Sequence, residues 1–258
     1  MAGSFEVRVD PRGVAYLTLD HRAKLNTLNG ALMREVIAAM AALARQEDLR
    51  CAVLAGAGGR AFIGGADIRE MAAVTSPAEA EAFIRLVHGV CDAMRALPVP
   101  VIARIEGFCL GAGLEVAASC DMRIAATGAH FGMPEVRVGI PSVVEAALLP
   151  GLIGWGRTRL LLLTGRSIDA ATALTWGLIE EAVPAGDLDA AVARCVAEIL
   201  ACGPGAVRLQ KKLILSWEHG ALAERIQESI EAFSANAGTD EPRRMMAAHL
   251  EARRAKKK

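Results

Sequence analysis

Aromatic residues are scarce in this sequence, and its charges cancel. Phenylalanine, tryptophan and tyrosine make up 4% of the 258 residues, and 29 basic side chains balance 29 acidic ones. Proteins that bind single-stranded nucleic acid combine aromatic stacking platforms with a positive groove, and anionic surfaces attract proteins with a strong net positive charge. Neither feature is present, so we expect no nucleic-acid partner and no membrane partner.

Targeting and cross-linking signals are also missing. The first eight residues contain no basic segment that leads into an apolar one, so no signal peptide is evident, and no apolar run is long enough to span a bilayer. The six cysteines show no C-x-x-C spacing, which predicts free thiols and not a disulfide framework or a zinc site. We therefore expect the protein in a reducing cytoplasm.

Motifs of several other enzyme classes are absent. The glycines near residue 111 lack the third glycine of a dinucleotide fingerprint, and no Walker-type G-K-[ST] is present, so NAD or ATP binding is not expected. No G-x-S-x-G marks a nucleophilic serine. The five histidines have no ligand spacing, so we predict no catalytic metal.

Strand and helix patterns alternate over most of the chain. The predicted strands are residues 5–9, 14–19, 51–55, 101–105 and 122–125, the first two forming a hairpin. The predicted helices include one capped by Asn29 that runs to residue 46, one at 77–97, one from about residue 114, and a mainly helical stretch from about residue 157. This alternation predicts an α/β core with parallel strands.

A turn of small residues before the helix near residue 114 carries the first chemical signal. Gly111, Ala112 and Gly113 allow a ligand to approach the backbone closely, and a helix N-terminus offers unpaired N–H groups to a developing negative charge. Glu115 follows at once in an apolar segment. A backbone anion site beside a half-buried acid predicts acid/base chemistry on a carbonyl compound, although a simple turn with a solvated glutamate fits this stretch equally well.

A second turn of the same kind lies at Gly64-Gly65-Ala66-Asp67. It follows a predicted strand and precedes a short helical turn, and we expect Ala66 at the start of that turn. The N–H groups of Ala66 and Ala112 could converge on one oxygen atom. They would then form an oxyanion hole built from main chain alone.

Glu135, which follows Pro134, is the second candidate acid. It lies 20 residues after Glu115, and the strand between them would return the chain to the same end of the sheet. Two carboxylates in one apolar cleft tend to have separated pKa values, so that one holds a proton and the other is ionised. Such a pair could deliver a hydroxyl to one carbon and a proton to its neighbour. Taken alone, Glu135 also fits a helix-capping carboxylate.

Four segments, in order along the chain, resemble the enoyl-CoA hydratase/isomerase family, the crotonases. They are residues 22–29, 61–71, 106–121 and 131–135, and the resemblance extends from about residue 5 to 250. The fold that it implies is α/β, a spiral of β-β-α turns with a helical C-terminal region that builds homotrimers, often paired as homohexamers. We place the crotonase-like core at residues 1–195 and the helical oligomerisation region at residues 196–258.

The resemblance also implies roles for individual residues. Ala66 and Ala112 match the two oxyanion-hole positions, although the family usually has glycine at the second. Glu115 and Glu135 match the paired catalytic glutamates of the hydratases. The residues that match CoA-lining segments are Arg22, Lys24, Leu25, Ala66, Asp67 and Ile68.

One loop departs from the family pattern. After Glu135 the family commonly continues with P-G-x-G-G-T, where this chain has I-P-S-V-V-E-A-A at residues 140–147. Bulky residues replace glycines near the expected acyl chain, and Glu145 adds a third acid. No role is assigned to Glu145 or His249. The residues expected to line the substrate pocket are Gly111, Pro141, Val143 and Val144.

The function that the resemblance implies is that of an enoyl-CoA hydratase. Such an enzyme adds water to a trans-2-enoyl-CoA and yields a 3-hydroxyacyl-CoA, with coenzyme A as part of the substrate and no separate cofactor. Glu115 is assigned the role of general base and Glu135 that of proton donor. The alternatives are a Δ3-Δ2-enoyl-CoA isomerase, which needs one carboxylate, another crotonase-type acyl-CoA lyase, or a non-catalytic acyl-CoA-binding protein.

Overall fold

The computed structural model describes residues 3–218 and 221–255. Its strands are β1 Ser4–Val9, β2 Val14–Asp20, β3 Cys51–Gly56, β4 Ala61–Ile63, β5 Val101–Ile105, β6 Phe108–Leu110, β7 Met122–Ala126, β8 His130–Gly132, β9 Ser167–Asp169 and β10 Glu181–Val183. Its helices are α1 Gly30–Leu43, α2 Ile68–Ala72, α3 Pro77–Ala96, α4 Ala112–Ser119, α5 Leu149–Thr164, α6 Ala170–Trp176, α7 Leu188–Leu200, α8 Pro204–Trp217, α9 Leu222–Ala237 and α10 Glu241–Ala255.

The strands form two sheets, and each turn of the spiral adds one strand to each sheet. The larger sheet has the order β1-β2-β3-β5-β7-β10 and is parallel except for the β1–β2 hairpin. The smaller has the order β4-β6-β8-β9, with β9 antiparallel to β8. Three times in succession, the chain adds one strand to the larger sheet and the next strand to the smaller sheet, and then enters a helical segment. The predicted spiral of β-β-α turns with a helical C-terminal region is confirmed.

Side chains of the larger sheet are buried on both faces. Along β2, Ala15, Leu17 and Leu19 belong to the main core, whereas Val14 belongs to a second apolar cluster on the opposite face, against α7. Successive strand residues point to opposite faces, so this split follows directly from the apolar sequence of β2. A parallel sheet covered on both sides requires such continuous apolar strands.

Local signals placed several elements correctly. The hairpin of β1 and β2 is present, and Asn29 caps α1, its side-chain oxygen accepting a hydrogen bond of 2.8 Å from Leu32 N–H. Two helix starts differ from the prediction. Helix α4 begins at Ala112 and not near residue 114, and α5 begins at Leu149 and not near residue 157.

The C-terminal helices dock on the spiral through a buried lysine on α8. Lys211 Nζ donates hydrogen bonds to the carbonyls of Met94 and Val99 and to Asp121 Oδ2, at 3.2, 2.9 and 2.8 Å. The boundary predicted at residues 195/196 falls inside α7. Residues 219–220 and 256–258 of the predicted C-terminal region lie outside the described residues, and the division of the chain stays a prediction.

No single helix in residues 3–218 and 221–255 is long and apolar enough to cross a membrane. The pair Ala185–Leu200 and Pro204–Trp217 passes that test of length and composition only jointly, and the two helices are bent by 104°.

Candidate active site

One cleft of about 460 Å³ brings together most of the residues predicted from the sequence. The predicted residues that line it are Lys24, Ala66, Asp67, Ile68, Gly111, Ala112, Glu115, Glu135, Pro141 and Val143. Three further predicted residues, Arg22, Leu25 and Val144, do not line this cleft. The structure thus places both candidate carboxylates and both candidate N–H donors around a single space.

The two turns of small residues lie against each other at the base of the cleft. A Cβ atom added at Gly111 would lie 3.9 Å from Gly65 Cα and 2.5 Å from Glu135 Oε1. Gly111 also has a φ of 54°, which residues with a side chain rarely adopt. Glycine at position 111 therefore lets the Glu135 carboxylate approach the point where the two turns meet.

The N–H groups of Ala66 and Ala112 are free to bind a ligand. Ala112 is the first residue of α4, and neither its N–H nor that of Ala66 donates a hydrogen bond to any atom in the described parts of the chain. The N–H of Asp67, by contrast, donates to the Leu28 carbonyl at 2.8 Å. Ala66 itself does not start a helix as predicted, because Asp67 is the N-cap of α2.

Gly113 fixes the position of α4 relative to the smaller sheet. A Cβ at this position would lie 2.0 Å from the carbonyl oxygen of Ile63, the last residue of β4. A contact this short cannot form without movement of the backbone. The absent side chain therefore lets the start of α4 approach the turn that carries Ala66.

Glu115 is buried at the inner wall of the cleft, with 4% of its surface exposed. Its Oε1 accepts a hydrogen bond of 3.3 Å from the Ala146 N–H. Burial, and then the nearby charges of Glu135 and Glu145, raise the pKa of Glu115 to about 8. Glu115 is therefore mainly protonated at pH 7.

Glu135 begins a 3₁₀ turn, Glu135–Val138, directly after Pro134. Its Oε2 accepts a hydrogen bond of 2.8 Å from the Ser142 hydroxyl, which fixes the position of the carboxyl group. Sequence reasoning did not assign this role to Ser142. The short separation in sequence, seven residues across one loop, was the only available signal.

Lys24 and Asp67 form an ion pair at the entrance, with Lys24 Nζ 2.7 Å from Asp67 Oδ2. The hydrogen bond from Lys24 is the main cause that lowers the pKa of Asp67. Arg22 is paired with Asp20 instead. The Leu25 carbonyl accepts a hydrogen bond of 2.9 Å from Gly64 N–H, so Leu25 supports the glycine turn from outside the cleft.

An apolar wall faces the two carboxylates, and most of it was missed from the sequence. Phe83, Ile84 and Val87 of α3 line the cleft, together with Met71. Their spacing predicts a helix, but it does not show which face of the helix meets a ligand. An apolar wall of this kind suits the hydrocarbon part of an acyl group.

The predicted pocket role of Val144 is corrected by the structure. Val144 has a φ of 41°, and it lines a neighbouring opening together with Glu145. Its positive φ could not be read from the sequence, because β-branched residues seldom adopt that conformation.

Within the described residues, no three His, Cys, Asp or Glu side chains are grouped so that they could hold a metal ion. The carboxylates that line the cleft are Asp67, Glu115 and Glu135. Asp67 is engaged with Lys24, which leaves the other two for chemistry on a bound ligand.

Known proteins that resemble this chain in sequence and in structure point to one family. The family model described as enoyl-CoA hydratase/isomerase matches residues 10–258. A short-chain-enoyl-CoA hydratase of Clostridium acetobutylicum is 33% identical over 242 residues, which cover 93% of this chain and 92% of that protein. A crotonyl-CoA hydratase of Syntrophomonas wolfei is 34% identical over 94% and 93% of the two chains. Among solved structures, an enoyl-CoA hydratase from Bacillus anthracis has a TM-score of 0.91 and 31% identity, covering 96% of each chain.

Proposed function

The chain belongs to the enoyl-CoA hydratase/isomerase family, and from that premise we propose that it adds water to a trans-2-enoyl-CoA to give a 3-hydroxyacyl-CoA. The observation that carries this proposal is that two carboxylates, Glu115 and Glu135, line one cleft together with Ala66 and Ala112, whose N–H groups have no acceptor within the described residues. Coenzyme A enters as part of the substrate. No separate cofactor takes part in the proposed reaction.

In this proposal the thioester oxygen accepts hydrogen bonds from the N–H groups of Ala66 and Ala112. These bonds withdraw electron density from the conjugated double bond and make the β-carbon electrophilic. They strengthen as negative charge develops on the oxygen, and the loss of one such donor typically costs about 3–4 kcal/mol of transition-state stabilisation. The backbone of the two turns of small residues thus activates the thioester for attack by water.

The two carboxylates carry the two proton transfers of the reaction. Glu115 as general base takes a proton from the water, and the oxygen forms the bond to the β-carbon. The electron pair of the double bond moves to the α-carbon, which takes a proton from Glu135. The reaction leaves one proton more on Glu115 and one fewer on Glu135, and exchange with solvent restores the starting state.

The residues that line the entrance support binding of the nucleotide end. Lys24, Asp67 and Ile68 line the cleft there, and we propose that they contact the CoA moiety, with Arg22 and Leu25 farther out. Exposed apolar residues on α9 favour a homotrimer or homohexamer; they are Leu222, Ile226, Ile230 and Phe233. A cytoplasmic location stays a prediction that the six free cysteines support.

Crotonyl-CoA hydration tests the proposal directly. The purified protein should remove the conjugated-thioester absorbance of crotonyl-CoA, or of a longer 2-enoyl-CoA, at a rate proportional to enzyme concentration. Isomerisation of a 3-enoyl-CoA without hydration of any 2-enoyl-CoA would identify an isomerase. Binding of acyl-CoA without turnover of either substrate would identify a binding protein.

The pH dependence follows from the raised pKa of Glu115. A base must be ionised, so kcat/KM should rise as the pH approaches about 8, as long as Glu135 keeps the proton that it donates. At pH 7 roughly one tenth of the molecules would carry the ionised base. Initial rates with crotonyl-CoA at subsaturating concentration, from about pH 6 to 10, measure this midpoint. A kcat/KM that does not rise between about pH 6 and 8 would contradict the role of Glu115 as the base.

A further inference from the structure

The two oxygens of the Glu135 carboxyl group have different surroundings. Ser142 Oγ donates a hydrogen bond of 2.8 Å to Oε2. Oε1 accepts no hydrogen bond within the described part of the chain, and it is not among the buried atoms that lack a partner, so it is open to the cleft that Glu135 lines. A Cβ atom at Gly111 would lie 2.5 Å from Oε1. This oxygen therefore faces the place where the two turns of small residues meet.

The chain between Glu135 and Ser142 folds back so that their hydrogen bond can form. After the 3₁₀ turn Glu135–Val138, Gly139 has a φ of 84°, in the left-handed region. The next residue, Ile140, donates its N–H to the Glu135 carbonyl at 3.2 Å. The loop is thus anchored on the backbone of the same residue whose side chain the Ser142 hydroxyl contacts.

Ser142 belongs to the loop that departs from the family pattern. With Pro141 matched to the proline of P-G-x-G-G-T, Ser142 stands where that pattern has its first glycine. Glycine has no side chain that could donate a hydrogen bond. The contact with Glu135 is therefore a feature of this chain that the family pattern does not provide.

We propose that Ser142 is a positioning residue that directs Oε1 of Glu135 to the α-carbon for proton transfer. This inference rests on the proposed function, in which Glu135 donates that proton. The O–H bond at Oε1 breaks, and its electron pair stays on the carboxyl group. The electron pair of the enolate forms the new C–H bond at the α-carbon.

The hydroxyl contributes to this step in two ways. The last torsion of a glutamate side chain is broad, so a donor fixed at Oε2 restricts the rotation that would turn Oε1 away from the substrate. A hydrogen bond to an ionised acceptor is also about twice as strong as one between neutral groups. The bond from Ser142 therefore strengthens as the proton leaves Glu135, which stabilises the transition state more than the ground state.

Ser142→Ala should lower kcat for hydration about tenfold, as expected for the loss of one hydrogen bond to a group that becomes charged. KM should stay within about twofold, because the hydroxyl contacts the acid and not the substrate. Ser167→Ala is the matched control, since Ser167 is exposed on β9, and it should leave both constants unchanged. An unchanged kcat in Ser142→Ala would refute the proposal.

Ser142→Thr tests whether the hydroxyl is the feature that matters. Ser142 is not among the residues with a positive φ, so a β-branched side chain is compatible with its backbone. Threonine keeps the donor, and kcat should stay within about threefold of that of the parent protein. Equal losses in the threonine and alanine variants would count against a role for the hydroxyl.

The Glu135→Gln background shows whether Ser142 acts through Glu135. Glutamine cannot transfer the proton, so Ser142→Ala added to Glu135→Gln should lower kcat by less than about twofold further. A merely structural role would carry the full loss into the double variant. A further tenfold loss there would exclude Glu135 as the group on which Ser142 acts.

Deuterium exchange separates this inference from the proposed function. Butyryl-CoA has α-hydrogens but no double bond to hydrate. The reverse of the proposed step moves an α-proton to Oε1 of Glu135 and the electron pair of its C–H bond to the thioester oxygen. Exchange of Glu135 with D₂O and return of a deuteron then label the α-carbon, which NMR detects. Ser142→Ala should slow this labelling about tenfold.

The possible results lead to different conclusions. If no 2-enoyl-CoA is hydrated but labelling depends on Ser142, the hydration proposal fails and the inference stands. If hydration occurs and neither rate depends on Ser142, only the inference fails. If the parent protein neither hydrates nor labels any substrate, both fail.

Discussion

Glu115→Gln and Glu135→Gln should each lower kcat for crotonyl-CoA hydration by about 10²-fold or more. Glutamine keeps the size and a hydrogen-bonding oxygen of each side chain but can neither accept nor donate the transferred proton, and loss of a general acid or base costs about 10²–10⁴-fold. Both residues line one cleft with Ala66 and Ala112, whose N–H groups find no acceptor in the part of the chain that the structure describes. Steady-state rates at saturating substrate measure the effect.

Two further variants make this result specific. Glu81→Gln removes an exposed carboxylate on α3 whose partner is Arg85, and it should leave kcat unchanged. The double variant should lose much less than the product of the two single losses, because the acid and the base of one reaction work as a unit. Near-normal turnover in one single variant would leave only one catalytic carboxylate, which is the requirement of an isomerase.

Glu115→Gln should make the folded protein more stable although it lowers kcat. The pKa of Glu115 is about 8 in the folded protein and about 4.3 in an unfolded chain, so at pH 7 unfolding releases a proton and is favoured by it. This contribution lowers the free energy of unfolding more and more as the pH rises from the pKa of Glu115 in the unfolded chain to its pKa in the folded protein. Glutamine removes it, and Tm at pH 7 should rise. A higher Tm together with lost activity excludes unfolding as the cause of the loss.

The sequence was sufficient for elements whose signals are local. The β1–β2 hairpin has strands of six and seven residues with alternating burial, and Asn29 is a side-chain cap within three residues of its partner. The strands β6 and β8 have three residues each, which is too short for a periodicity to be seen. The smaller sheet could therefore not be derived from residue pattern, although the family resemblance implied it.

Some parts of the candidate site could be predicted from the sequence, and others could not. Glu115, Glu135 and the two alanines lie in motifs, and the structure places them around one cleft. The His88–Glu145 contact joins residues 57 positions apart, one on α3 and one on the 3₁₀ helix Val144–Leu148, and nothing in either local sequence indicates the other. Contacts of this kind depend on how α3 packs against the Val144–Leu148 segment. Only the packed structure shows them.

Ala112→Pro should lower kcat by about 10²–10³-fold, because it removes one of the two proposed oxyanion donors while it preserves the helix. Ala112 is the first residue of α4, a position where proline is favoured since its N–H has no partner within the helix. Gly111 before it has a φ of 54° and a ψ of −125°, the mirror image of the extended conformation that residues before proline prefer. A glycine adopts either hand equally well. The substitution therefore targets the N–H group with little demand on the backbone.

Ala112→Gly is the matched control, because it retains the N–H and removes only the methyl group. Its kcat should stay within a few-fold of that of the parent protein, as a donated hydrogen bond does not depend on the side chain. The proline variant should keep the parent Tm and still bind acyl-CoA product, since the residues proposed to contact coenzyme A are unchanged. If Ala112→Pro turned over at the parent rate, the negative charge would have to be stabilised elsewhere. If instead both variants lost activity equally, the methyl group and not the N–H would be the feature that the reaction requires.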